Sequence, residues 1–218
     1  PFIGKTVMEA ASVFPGVHFM PIALKREDSE STIIPRGNTI FCECDHVYFI
    51  TNKKGLDELY NLMGTEKQKV KNVMILGAGR VGSKLSKELS AQGLNIKLIE
   101  INEQKANDIA EELPDLMVLN VDGRNLDLLV EENLENMDAF ISTSGDSETN
   151  IMSCMMAKSK KVKKTIALVE NMDYFNLSQS IGIDSLINKK LLAANDIFKF
   201  VRNGDIVELA MLNDMDAE

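Results

Sequence analysis

The chain has 218 residues, 44% hydrophobic and 26% charged, with a formal net charge of -9 at pH 7. That is room for one large or two small domains of ordinary soluble composition, and the acidic balance argues against a general nucleic-acid or anionic-membrane binder. Three cysteines, Cys42, Cys44 and Cys154, cannot all pair with one another, and the longest apolar stretches are far too short to span a bilayer.

Nothing resembles a secretory signal, so a reducing cytoplasm is the expected compartment. The chain begins at Pro1 and ends within what reads as a strand-and-turn segment, Ile206 to Glu218, as a piece of something longer would. From Pro1 to about Gly64 the expected elements are short and β-rich. Val17–Leu24 reads as a strand, Ser29–Ser31 as a polar turn, and Ile33-Ile34-Pro35-Arg36-Gly37-Asn38 as a short strand entering a turn. Val47–Thr51 is another strand, and Gly55–Met63 a short amphipathic helix with Leu56, Leu59 and Tyr60 on one face. Thr65–Lys71 is polar and lysine-rich, as a linker should be.

From Asn72 onward, apolar strands alternate with helices, the pattern of a parallel sheet covered on both faces. Strands are expected at Val73–Leu76, Ile96–Glu100, Met117–Asn120, Ala139–Thr143, Thr165–Val169 and Ser185–Ile187. Helices are expected at 81–92, 103–112, 125–131, 147–159, 173–181 and 190–202, the last stopping at Asn203-Gly204. The fold class is therefore α/β, a Rossmann-like doubly wound parallel sheet preceded by a small α+β region.

The turn after the first of these strands reads Gly77-Ala78-Gly79-Arg80-Val81-Gly82. Gly77 permits a tight turn, Gly79 lets the backbone approach a pyrophosphate, and Gly82 lets the next helix pack closely on its strand. An anion would rest on unpaired N–H groups at the positive end of the helix dipole. Glu100, closing the second strand, stands where it would accept hydrogen bonds from both ribose hydroxyls. A carboxylate there repels a 2′-phosphate, so NAD(H) or ADP/ATP fits better than NADP. Arg80 can reach the phosphates or simply face solvent. Asp122 follows the third strand, close to an adenine ring in this fold, or caps the following helix through an Asp-Gly turn. Asp146, Glu148 and Asn150 open the helix after the fourth strand, across the crevice from the glycine turn, although first-turn acids also serve the helix dipole.

Other clusters read as structural. Cys42, Cys44 and His46 lie close together, but with no fourth ligand in sight they make a poor tetrahedral cage. The twelve methionines scatter along apolar positions as core filler, with Met152, Met155 and Met156 expected on one packed helix face. Lys158, Lys160, Lys161, Lys163 and Lys164 are expected to end a helix and point into solvent. A dehydrogenase would need a proton-transfer residue beside the nicotinamide, and the two histidines, His18 and His46, both precede the Rossmann-like region. Two readings follow: a nucleotide-sensing regulatory module, or a fragment of an NAD-dependent oxidoreductase.

The second region resembles the N-terminal nucleotide-binding domain of the RCK (or KTN) family, which regulates potassium conductance. The resemblance rests on the glycine turn, on Val121-Asp122-Gly123, on Asp138-Ala139-Phe140-Ile141, and on Ser144-Gly145-Asp146-Ser147-Glu148-Thr149-Asn150. The last is similar to the family's T-x-x-D-E-x-N signature, with Ser144 in place of threonine and Ser147 in place of an acid. The first region resembles the small C-terminal RCK domain through Gly4-Lys5-Thr6-Val7, Val17-His18-Phe19-Met20-Pro21-Ile22, Ile34-Pro35-Arg36-Gly37-Asn38-Thr39-Ile40 and Asp45-His46-Val47.

This resemblance implies a C-type domain at 1–66, an N-type domain at 72–204, and the start of a second C-type domain at 205–218, the middle of an N–C–N–C tandem. It implies nucleotide contacts at Gly77, Gly79, Arg80, Val81, Gly82, Glu100, Asp122, Ser144 and Asn150, and no catalysis. It further implies a cytoplasmic regulator peripheral to the inner face of the membrane, a membrane potassium transporter as partner, and a homodimer of this fragment.

Overall fold

The computed structural model describes residues 1–26, 31–64, 69–171, 174 and 182–201. They form two compact units, one within residues 1–64 and one within 69–201.

In the first unit a helix, α1 (Val7–Val13), precedes three strands and a second helix: β1 (Met20–Lys25), β2 (Thr32–Ile33), β3 (His46–Ile50) and α2 (Lys53–Leu62). β1 lies between β2 and β3, antiparallel to both, with a register shift between Pro21 and Ala23. Helix α1 was not expected, because its seven residues bury a single side chain, Ala10, and carry no apolar stripe to read. A capping box starts it: Thr6 Oγ1 accepts from Glu9 N–H at 3.1 Å, and Glu9 accepts from Thr6 N–H at 2.7 Å. The core of this unit is Ala10, Leu24 and Phe41, ringed by Phe2, Phe19, Phe49 and Val47. The turn expected at Ser29–Ser31 and the linker at Thr65–Lys71 lie largely outside the described residues.

The second unit is a six-stranded parallel sheet of β4 (Asn72–Leu76), β5 (Asn95–Ile99), β6 (Met117–Leu119), β7 (Ala139–Ser142), β8 (Lys164–Val169) and β9 (Ser185–Asn188), in the order β6-β5-β4-β7-β8-β9. The order reverses beside β4, the hallmark of the doubly wound Rossmann arrangement. Helices α3 (Arg80–Ala91), α4 (Glu103–Glu112), α5 (Leu126–Glu131) and α6 (Ser147–Ser159) make the crossovers, and α7 (Lys189–Val201) follows β9. Val73, Ile75, Leu98 and Ile109 pack on one face, and Met74, Leu76, Phe140 and Cys154 on the other. Alternate residues of β4 thus serve opposite layers, which is why that strand reads as an unbroken apolar run.

Two expectations fail here. Met152 and Met155 are 57% and 39% exposed, because α6 buries Asn150, Ile151, Ser153, Cys154 and Ala157 and turns those methionines outward. The lysine run is not uniformly solvated: Lys158 pairs with Asp184 at 2.5 Å and Lys160 with Glu135 at 3.3 Å. Apart from Tyr174, the helix expected at 173–181 lies outside the described residues, as does the segment 205–218.

Candidate functional site

A cavity of about 530 Å³ opens at the C-terminal ends of β4, β5 and β7. It lies where the strand order reverses, the place at which open α/β sheets take ligands. One wall is the turn between β4 and α3. Gly77 holds φ at 95°, and a side chain there would sit 2.8 Å from the Ser144 amide nitrogen. A Cβ at Gly82 would collide with the Gly77 carbonyl, so Gly82 is what lets α3 come down on the strand end. Gly79 differs from both, because nothing lies within 4 Å of where its side chain would be. The space in front of it is cavity.

Gly79 is also the N-cap of α3, and no side chain caps that helix. Thr6, Asn52, Asn102, Asn125 and Asp146 cap α1, α2, α4, α5 and α6. The exception falls where the glycine turn meets the cavity. Uncapped first-turn N–H groups need acceptors, and an anion's oxygens are the acceptors best suited to the dipole.

Glu100 is 8% exposed and lines the same cavity. Its two carboxylate oxygens accept from the Ala78 and Asn102 N–H groups, each at 2.9 Å. Each oxygen keeps a second lone pair with which to meet a ligand hydroxyl.

Asp122 lines the cavity but does not cap α5, a task done by Asn125. Its carboxylate instead grips Arg124, accepting from Nε at 3.0 Å, Nη2 at 2.8 Å and the backbone N–H at 3.0 Å. The Arg124 guanidinium hydrogen bonds hold the Asp122 carboxyl below the usual carboxylate range. Arg124 is itself on the cavity wall, as is Lys105.

The opposite wall is the loop from Thr143 to Asp146 and the first turn of α6. Asn150, 1% exposed, builds it: Oδ1 accepts from Ser142 Oγ at 2.8 Å, Ser144 N–H at 2.9 Å and Ser144 Oγ at 2.7 Å. Its Nδ2 donates to the Leu168 carbonyl at 2.7 Å. Asn150 therefore shapes the wall from behind. Thr143 Oγ1 donates toward the Leu76 and Gly77 carbonyls at 3.1 Å each, tying the two walls together. Hydrogen bonds from Thr149 to Asp146 keep the Asp146 carboxyl low. Glu148 points elsewhere, to the Tyr174 hydroxyl.

Of the residues expected from sequence, Gly77, Gly79, Glu100, Asp122 and Ser144 line the cavity, whereas Arg80, Val81, Gly82 and Asn150 do not. Arg80 lies exposed at the start of α3, with no ion pair among the described residues. Lys105 and Arg124 escaped the sequence reading. Arg124 follows the Asp-Gly pair immediately, and its sign, opposite to that of Asp122, was the available clue.

Cys42 and Cys44 are exposed, and no metal-binding group of three or more ligands exists among the described residues. No described helix is long and apolar enough to cross a membrane.

The TrkA-N domain family model matches residues 73–189, and the TrkA-C domain family model matches residues 1–64. The chain belongs to the TrkA-N family. Its resemblance to potassium-transport proteins is broad. It is 31% identical, over 97% of its own length, to the Trk system potassium uptake protein TrkA of Vibrio alginolyticus, and spans 46% of that protein. Among solved structures it is similar to the GsuK channel bound to NAD, with a TM-score of 0.59 at 20% identity, covering 92% of this chain and 35% of that one. GsuK bound to ADP gives a TM-score of 0.52 at 14% identity, covering 66% and 41%. These structural likenesses agree with the Rossmann-like fold.

Proposed function

We propose that the 69–201 unit binds an adenine nucleotide, NAD(H) or ADP/ATP, and that the chain belongs to a regulator of a Trk-type potassium transporter. The observation that carries this reading is the uncapped first turn of α3, opening at Gly79 into a cavity that also holds Glu100. A diphosphate meets the free N–H groups, and the ribose hydroxyls share the Glu100 carboxylate. The solved neighbours with NAD and with ADP support the ligand class. A nucleotide acts here by binding one arrangement of paired domains more tightly than another, and the population follows that difference. No chemistry on the ligand is part of this role.

The domain scheme that goes with it is a C-type domain at 1–66, an N-type domain at 72–204 and a second C-type domain beginning at 205. The protein works in the cytoplasm, peripheral to the inner membrane face, and this chain pairs with a second copy. Calorimetric titration with NADH, NAD, ATP and ADP tests the reading. At least one should bind, and Glu100→Ala should weaken it by about 1.5–3 kcal/mol, the loss expected for charge-assisted hydrogen bonds. Absence of binding by all four, or equal affinity in the variant, would overturn it. NADH should stay reduced when small aldehydes, ketones or 2-oxo acids are added; steady, protein-dependent oxidation would restore the oxidoreductase reading.

A further inference from the structure

The strands of the larger unit end at the cavity and begin at a surface of opposite character. Register sets Val73, Ala139 and Lys164 side by side across β4, β7 and β8. Asn72, Asp138 and Lys163 therefore form the row at the strand starts, Lys71 stands one residue before it, and β4 and β8 are about 10 Å apart. Lys71, Lys161, Lys163 and Lys164 are all exposed. Lys161 turns the chain at a φ of 66°, and Val162, 1% exposed, anchors the loop, so these lysines are held at the edge.

The neighbouring acids all have hydrogen-bond partners, and the Asp138 charge offsets part of the field of Lys71 and Lys163 beside it. Asp138 accepts from Lys71 N–H at 2.9 Å and Asn72 N–H at 3.0 Å. Asp184 takes Lys158 and both the N–H and hydroxyl of Thr165. Glu135 takes Lys160. Lys71, Lys161, Lys163 and Lys164 have no ion pair among the described residues, in a chain whose net charge is -9.

We infer that this edge, Lys71 with Lys161, Lys163 and Lys164, docks onto anionic lipid headgroups. The choice of occupant rests on the proposed work beside a membrane transporter. Cytoplasmic loops of membrane proteins carry an excess of lysine and arginine and would repel this edge, whereas the cytoplasmic leaflet is anionic and attracts it. The net negative charge opposes approach at long range. Within the Debye length, about 8 Å at physiological salt, the local charges count. There Lys71, Lys158, Lys160, Lys161, Lys163 and Lys164 outnumber Asp138, Asp184 and Glu135. Binding is weak and permits one orientation, strand starts toward the bilayer and nucleotide cavity away from it.

Co-sedimentation of the full chain with vesicles tests this. Vesicles of phosphatidylglycerol and phosphatidylcholine in equal parts should retain the protein at low salt, release it as salt rises, and exceed pure phosphatidylcholine. Replacing Lys71, Lys161, Lys163 and Lys164 together by Gln should cut the partition coefficient at least about tenfold, each basic residue near such a surface being worth about fivefold. NADH affinity should not change, and Lys84→Gln with Lys87→Gln on α3 should leave partitioning intact. Equal retention by neutral vesicles, or parent-like partitioning of the fourfold variant, would overturn the inference. So would lysine-dependent capture by polyglutamate without vesicle binding, which would assign the edge to an acidic protein. Vesicle binding by a parent that titrates with no nucleotide would reject the proposed function and leave the lipid edge standing.

Discussion

Five phenylalanines, Phe2, Phe14, Phe19, Phe41 and Phe49, meet in the first unit with ring centroids 5.2 to 6.4 Å apart. Among the described residues, the two cores of the larger unit contain one buried phenylalanine, Phe140, among aliphatic neighbours. The contrast follows from the sheets. A parallel sheet sandwiched by helices buries every residue of a central strand, as β7 does, and Val, Ile and Leu fill it. A three-stranded antiparallel sheet has no such interior, and β3 buries none of its residues fully. Large rings, four of the five from outside the strands, close the gap, with three of their pairs edge against face. Cohesion in the first unit thus sits in a few big side chains, and in the second it is spread along strands.

That difference can be broken at chosen points. The largest effect should come from Gly82→Ala, where the new methyl would drive α3 off the Gly77 carbonyl. The larger unit should lose more than about 4 kcal/mol, near the top of what a single substitution does, measured by urea unfolding. A midpoint close to the parent's would mean that α3 can shift freely. Next, Phe41→Ala should cost about 3–4 kcal/mol by leaving a hole beside the Phe2 and Phe49 rings, while NADH titration stays parent-like. A smaller loss would show that the ring cluster repacks.

Gly79→Val sharpens the comparison within one turn. Its backbone, φ -70° and ψ -176°, suits any residue, and its side-chain space is open. Stability should fall by under about 1 kcal/mol, yet nucleotide affinity should fall at least about tenfold, because the branched side chain fills the anion's place. Loss of both together would merge its role with that of Gly82.

The smallest effect concerns Asp184→Asn. Burial raises the Asp184 carboxyl, but Lys158 and Thr165 outweigh it, so the folded value lies below the ordinary one. A depressed carboxyl stabilises above its unfolded value, about 3.9, and that contribution disappears as pH falls through the lower folded value. The variant should be less stable than the parent at pH 7 by under about 1 kcal/mol, given its partial exposure. The gap should close on acidification, as thermal melts across that range would reveal.

How much was legible in the sequence follows the same division. The six strands and most crossover helices of the larger unit stand within a residue or so of their expected places, because burial on both faces writes unbroken apolar runs. Helix α1 did not show, since a capping box and one buried alanine leave almost no periodicity. Phe2, Phe14 and Phe41 join the ring cluster from outside any strand, where alternation says nothing. In the site, glycines with a backbone reason were legible, as was Glu100 at the strand end. Arg124 and Lys105 were not, because a cation's place on a cavity wall depends on which loops meet in space. Asn150 was found for one reason and placed by another: it opens the helix as expected, but spends its amide behind the wall.

The two bonds made by Glu100 set the meaning of any measurement at that residue. Its carboxylate joins Ala78, inside the glycine turn, to Asn102, the cap of α4. Truncating it frees a donor at each of these places before any ligand arrives, so the free state changes along with the bound one. Part of an affinity loss in Glu100→Ala is then the cost of reassembling the turn. Glu100→Gln, which keeps one acceptor oxygen, separates that cost from the ribose contact.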